Sequence, residues 1–170
     1  MESKLTNEGV AAKIQAQFGA AVVSVDMPYD MLTMEIAADR MHDLIEWIQS
    51  DAELQIGFLT LLGGVHYPND KGREFAMVYH LHSWTNNFRI RLKAFLPAEN
   101  PAIATLTDLY EAANWMERET YDFFGINFVG HPNLKRILNV DEMDYFPLRK
   151  EYPLEDQTRI DKDDEMFGRG

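Results

Sequence analysis

The stretch FAMVYHLHSWTNNFRIRLKAFL, residues 75–96, alternates on a period of two almost from end to end. In its first half Phe75, Met77, Tyr79 and Leu81 fall on one face, and Ala76, Val78, His80 and His82 on the other. Trp84-Thr85-Asn86-Asn87 reads as a hairpin turn. In Phe88–Leu96, Phe88, Ile90, Leu92 and Ala94 share one face, and Arg89, Arg91 and Lys93 the other. Successive side chains of a strand point to opposite sides, so this pattern predicts two long antiparallel strands with one apolar face. Pro97 ends the second strand and Pro101 marks a connecting loop.

Upstream, residues 54–62 read as a mostly apolar strand leading into Gly63-Gly64, and Asn69-Asp70-Lys71-Gly72 is a turn. Met41, Leu44, Ile45 and Ile48 recur at i, i+3, i+4, i+7, a helix stripe for which Asp39 is the expected cap. Leu32, Met34 and Ile36 alternate with polar Thr33 and Glu35. With Ala20–Val25 across the turn at Met27-Pro28-Tyr29-Asp30 they form a hairpin. Val10, Ile14 and Phe18 give a first helix over 7–18, with Asn7 as cap and Gly19 as stop. Downstream, a helix is expected from Thr105–Thr107 through Leu109, Ala113 and Met116 to Gly125. This order predicts an α+β fold, with helices on one face of a mainly antiparallel or mixed sheet. The domain spans 1–138. An extended acidic tail, 139–170, follows, with ten acids against five bases and two prolines. Such a segment buries too little to offset its ordering entropy alone, so it is expected to order against a partner.

Acids outnumber bases 28 to 16, a net charge of −12, which argues against nucleic acid as partner and against adhesion to anionic lipid. Cysteine is absent, so disulfides, thiolate nucleophiles and cysteine-held iron–sulfur clusters are excluded from this chain. No apolar run approaches the roughly 20 residues of a membrane span, and Met1-Glu2-Ser3-Lys4 lacks a signal-peptide pattern. The expectation is a soluble intracellular protein that meets a membrane only through partners.

Chemistry-bearing patterns are sparse. Glu117 and Glu119 point to different sides of a helix and do not make an acid–base pair. A structural role fits better, paired to a neighbour's Arg118 or to Lys135 and Arg136. Arg118 lies four residues before Asp122, where the two face each other. His80 and His82 share a strand face as two metal ligands would, without a third ligand at metal spacing. His131 before Pro132 fits a turn-fixing hydrogen bond. The stripe Arg89, Arg91, Lys93 is either the wet face of the sheet or meets an acidic surface, a partner's or the chain's own tail. Gly63-Gly64 lacks the rest of a dinucleotide fingerprint. These residues favour a binding or scaffold domain over an enzyme.

The run ERETYDFFGINFVGHPNLKRIL at 117–138, with PLRKEYP at 147–153, resembles the signature of the 30 kDa subunit family, the C subunits of NADH–quinone oxidoreductase, respiratory complex I. The resemblance is strongest over Ala112–Pro153 and departs at His66, where relatives often carry an acid. It implies a non-catalytic subunit of the hydrophilic arm, peripheral on the cytoplasmic side of a bacterial membrane. That complex passes electrons from NADH to quinone and pumps protons. The resemblance also implies the D, B and I subunits as partners, with FMN and iron–sulfur clusters held in other subunits. In some bacteria this family is fused to the D subunit; with the sequence stopping at Gly170, a separate polypeptide is the expectation. The signature residues expected at subunit interfaces are Glu117, Arg118, Glu119, Tyr121, Asp122, Phe124, Gly125, His131, Pro132, Lys135, Arg136, Pro147, Arg149 and Lys150. Arg118 in particular is expected to be desolvated against a partner. Two alternatives stand beside this. One is the homologous subunit of a membrane-bound hydrogenase or formate hydrogenlyase-like complex. The other is a free-standing metal-dependent enzyme using His80 and His82.

Overall fold

A five-stranded sheet in the order β1-β2-β5-β4-β3 forms the frame. Its strands are β1 (Val22–Asp26), β2 (Leu32–Ile36), β3 (Phe58–His66), β4 (Phe75–Ser83) and β5 (Phe88–Leu96). The structure is a computed structural model that describes residues 5–152. β3, β4 and β5 form an antiparallel meander, β1–β2 is an antiparallel hairpin, and β2 runs parallel to β5 with Leu32 opposite Ile90. A short parallel pair, β6 (Ala102–Ala104) with β7 (Asn127–Val129), stands apart. The helices are α1 (Asn7–Phe18), α2 (Met41–Ser50) and α3 (Ala113–Phe124). This is the expected mixed α+β architecture, and both long strands run as their alternation predicts.

Register places Leu32, Met34, Leu92, Tyr79, Leu62 and their same-face neighbours on one side of the sheet. They are buried there together with Val10 and Ile14 of α1 and Leu44, Ile45 and Ile48 of α2. That apolar burial is the main stabilising contribution to the domain. α3 covers the β3 end of the same face. It comes so close that a Cβ on Gly64 would lie 2.9 Å from Phe124 and 3.0 Å from Thr120.

Several boundaries and caps differ from the spacing; the first strand, expected at Ala20–Val25, runs Val22–Asp26 because Gly19–Ala21 form a 3-10 turn. The strand expected at 54–62 begins at Phe58, because Asp51 organises a tight turn ahead of it. The Asp51 carboxylate accepts the amides of Glu53 and Leu54, Gln55 adopts φ 47°, and Leu54 and Ile56 tuck into the core from this turn. Asp39 lies in a 3-10 turn, Ala38–Arg40, and no side chain caps α2. α3 begins at Ala113 rather than near Thr105, because residues 102–104 pair with β7 and Thr105 N–H bonds the Val129 carbonyl. At α1 the cap is Thr6, whose hydroxyl accepts from Gly9 N–H, while Asn7 donates to the Asp30 carbonyl.

The two adjacent glycines of β3 make the packing of α3 testable. A Cβ at Gly63 would meet nothing within 4 Å, whereas at Gly64 it would meet three side chains. Gly64→Ala is expected to cost about 1–3 kcal/mol by overpacking. Gly63→Ala should leave the melting temperature unchanged or slightly raised, and thermal denaturation of both variants reads the difference.

Candidate interface site

α3 ends at Gly125, which takes φ 74° and turns the chain back. A side chain there would also collide, since a Cβ would sit 2.5 Å from Phe146 and 2.7 Å from Arg149. Beyond β7 the chain, 130–152, returns as a strap over the end of α3. Asp122, buried on α3, receives it. One carboxylate oxygen accepts from Arg136 Nη1 at 2.7 Å, and the other accepts the amides of Ile137, Leu138 and Asn139 at 3.1, 2.8 and 2.9 Å. Three successive N–H groups converging on one oxygen make a nest for the anion. Burial pushes this carboxyl up, but the Asn139 amide, the Arg136 guanidinium and the other two amides outweigh it, holding Asp122 well below the usual carboxylate range.

Arg136 is the second hub. Its Nη1 also donates to the Asp122 carbonyl, and its Nη2 donates to the carbonyls of Met143 and Tyr145 at 2.7 and 2.9 Å. Arg149 donates from Nε to the Phe124 carbonyl at 2.7 Å and lies over the rings of Phe146 and Phe75. Leu148 N–H bonds the Phe123 carbonyl, and Tyr121 meets Phe146 edge-on. His66 closes the far end: it stacks on Phe75 at 4.6 Å and its Nδ1 accepts the Lys150 amide at 2.9 Å. Burial holds the His66 imidazole below its ordinary value, with Glu151 opposing, which keeps that nitrogen free to accept.

The pairing of Arg118 with Asp122 read from their spacing is not what forms. Arg118 is buried and donates from Nε and Nη2 to the carbonyls of Lys135 and Arg136, at 3.1 and 3.0 Å. The acid four residues on is taken by Arg136 and the amide nest. The segment 139–152, expected to order only against a partner, instead bonds to its own domain through Asn139, Met143, Tyr145, Leu148, Arg149 and Lys150. The expectation for Asp156–Gly170 falls outside the described residues.

Glu117 pairs with neither Lys135 nor Arg136. It is fully buried and accepts from Thr105 Oγ1 at 2.5 Å and Leu106 N–H at 2.7 Å, tying α3 to the turn after β6. Burial pushes this carboxyl up to about 7, against the lowering effect of those two hydrogen bonds. Asp108 adds to the rise, and His42, bonded to Asp108 at 2.8 Å, opposes it. His131 fixes its turn: Nε2 donates to the Asn114 carbonyl and Nδ1 accepts from Asn133 N–H. Side chains of Glu119, Pro132, Lys135 and Lys150 are exposed, and Pro147 is half-buried. Thr105, Phe146 and His66 belong to the site although no motif marks them for it. Thr105 and His66 find partners 12 and 84 positions away, separations no spacing rule covers. His80 is half-buried and His82 buried, and no group of three or more metal-ligating side chains occurs among the described residues.

Residues 34–158, which hold this helix and strap, match the model of the family described as the respiratory-chain NADH dehydrogenase 30 Kd subunit. The chain belongs to this family. A curated relative, the C subunit of the NADH-quinone oxidoreductase of Mycobacterium sp. (strain KMS), is 44% identical over 144 residues, 85% of this chain and 62% of that protein. The chain thus spans about three fifths of the length of that relative. Among solved structures, the trypsin-resistant fragment (1-134) of Nqo5 is similar at 29% identity and TM-score 0.63, covering 75% of this chain and 98% of the fragment. A chain of the archaeal membrane-bound sulfane sulfur reductase, at 21% identity and TM-score 0.73, covers 86% of this chain and 85% of its own and shares the fold. The matched span contains both the nest residue Asp122 and the strap residues up to Lys150, so family membership and site coincide.

Two predictions come from this site. Arg136→Ala would leave the buried Asp122 carboxylate without its cation, and about 3–5 kcal/mol of stability should go. Arg118→Ala frees two carbonyls and should cost less, about 1–3 kcal/mol, with exposed Glu119→Ala near zero. Urea unfolding of the three variants gives the order. The second concerns pH. Glu117 holds its proton more tightly folded than unfolded, so its contribution is full below pH 4.5 and is lost as pH rises toward 7. The loss is roughly 3 kcal/mol. Glu117→Gln, which can still accept from Leu106 N–H, should flatten the stability profile between pH 5 and 8.

Proposed function

We propose that this chain is the C subunit of a bacterial NADH–quinone oxidoreductase, a structural rather than catalytic member of its hydrophilic arm. The observation that carries the reading is a strap anchored by two inward-turned arginines that still presents apolar side chains to solvent. Arg136 and Arg149 bond inward to Asp122 and to the Phe124 carbonyl, while several apolar side chains of the same segment turn outward. Leu138 and Val140 are 65% and 62% exposed, and Leu148, Tyr145 and Tyr152 are exposed as well. Apolar side chains held outward on a segment latched to its own domain form a docking ridge.

The D, B and I subunits are the proposed neighbours. Glu119, Lys135 and Lys150, all exposed, are the signature charges available to them. FMN and iron–sulfur clusters would sit in other subunits of the complex, in keeping with a chain that has no cysteine. No helix among the described residues is long and apolar enough to cross a membrane. The protein would then sit on the cytoplasmic side of the plasma membrane through its partners. Arg118, Asp122 and Arg136 serve the interface indirectly, by holding the ridge in shape.

Replacing Leu138 and Val140 together by Glu tests this. The isolated chain should stay within about 0.5 kcal/mol of the parent in stability, as surface changes do. The amount of assembled complex in membranes, and with it NADH–quinone activity, should fall sharply. Normal assembly of the double variant would remove the ridge from the interface.

A further inference from the structure

The face of the sheet opposite the helices is organised in columns. β3 contributes Phe58 and Leu61, β4 contributes His82 and His80 opposite them, and β5 contributes Arg89 and Arg91 opposite those. Each row therefore runs apolar, histidine, cation. Leu61 is 51% exposed, and Trp84, which tilts against Phe58 and His82 at 5.3 and 4.8 Å, is 69% exposed. None of Arg89, Arg91 and Lys93 makes an ion pair among the described residues. That is unusual in a chain of net charge −12. Beneath Trp84, His82 is buried and its Nε2 has no hydrogen-bond partner, a polar atom sealed from water without the compensation such atoms normally find.

We propose that this face receives an acidic amphipathic helix from a partner chain, a surface separate from the strap. The inference rests on the reading of the chain as one component of a larger assembly. Charge complementarity sets the sign: carboxylates lie over the β5 cations and apolar side chains over Phe58, Leu61 and Trp84. Width sets the shape. From β3 to β5 is two strand spacings, about 10 Å, and a helix with its side chains is about 10–12 Å across. A partner strand added at the β3 edge fits less well. The extra residue Thr60 makes a bulge there, a device that spoils edge pairing. At the other end of the face the site is closed, because Arg73 lies 3.8 Å over Phe95 and pairs with Glu35.

A photocrosslinking residue, p-benzoylphenylalanine, placed at Leu61 in the full chain tests this in assembled membranes, with the same probe at Leu138 as reference. The crosslinked peptide, read by mass spectrometry, should come from another protein of the assembly and carry acids and apolar residues at helical spacing. Reversing Arg89, Arg91 and Lys93 to Glu should cut that yield about tenfold or more, since like charges would then face each other. Arg89→Glu alone, at an exposed position, should melt at the parent temperature, whereas Glu at 93 would stand beside Glu35 on β2, so the triple variant is compared well below its own melting temperature. A crosslink to residues 153–170 of the same chain, to a second copy, or to a segment without acids overturns the proposal, as does no crosslink at 61. A crosslink at Leu138 alone would place the failure in this face and leave the assembly reading intact.

Discussion

A carboxylate removed from water must be met by partners or it will not stay charged, and Asp122 sits at zero exposure. Three amides and a guanidinium meet it, all from residues 136–139. This requirement fixes the path of the strap. Once those four residues are pinned, Arg136 is placed to hold the carbonyls of Met143 and Tyr145, which brings Phe146 against Tyr121 and Arg149 against the Phe124 carbonyl. Gly125 is part of the same constraint, because any side chain there would occupy the space of Phe146. The anion and its nest do for the strap what a hydrophobic core does for the sheet.

The consequence is a segment anchored by inward-turned arginines that still presents apolar side chains to solvent. Many backbone polar groups of the strap are satisfied internally, so little is left for a partner to desolvate at a loss. Leu138 and Val140 are released from the domain's own packing, whereas Phe146 and Leu134 serve it. Much of the ordering entropy of 136–152 is already spent before assembly, and preorganisation of that kind raises affinity without adding contacts.

The sheet was legible where one face is buried and the other wet. Residues 75–96 and 32–36 carry that contrast, and their bounds are read directly. Legibility failed where a local side-chain bond competes with the periodic signal. Asp51 delays β3 by collecting two amides, and the β6–β7 pair intercepts the chain before α3. At the site, the helix through Ala113 and Met116, its stop at Gly125 and the His131 turn were visible, but not where the helix starts. The partners were not. Arg118 and Asp122 stand at ideal helical spacing, yet each finds a better counterpart in the strap, fourteen to eighteen residues on, because a nest of amides satisfies a buried carboxylate more fully than one guanidinium. Which apolar side chains of 138–152 face solvent, as Leu138 and Val140 do, and which pack inward, as Phe146 does, is likewise invisible to composition.

The parallel pairing of β2 with β5 has a bearing on how the chain is made. A hairpin and a meander each fold from neighbours in sequence, but Leu32 waits for Ile90. The two halves therefore form in different order from that in which they leave the ribosome. The β1–β2 hairpin emerges first, too small to be stable alone, while β3–β5 can close as a unit and then offer β5 as a template. Closing the long connection costs little more than closing a short one, since that entropy grows only with the logarithm of length. In the interval between the appearance of Ile36 and of Leu96, the β2 edge with Leu32, Met34 and Ile36 has no neighbour on one side. Nascent chains crowded on one message would meet at that edge, so a slow passage through residues 37–96 is when this protein is most open to mispairing.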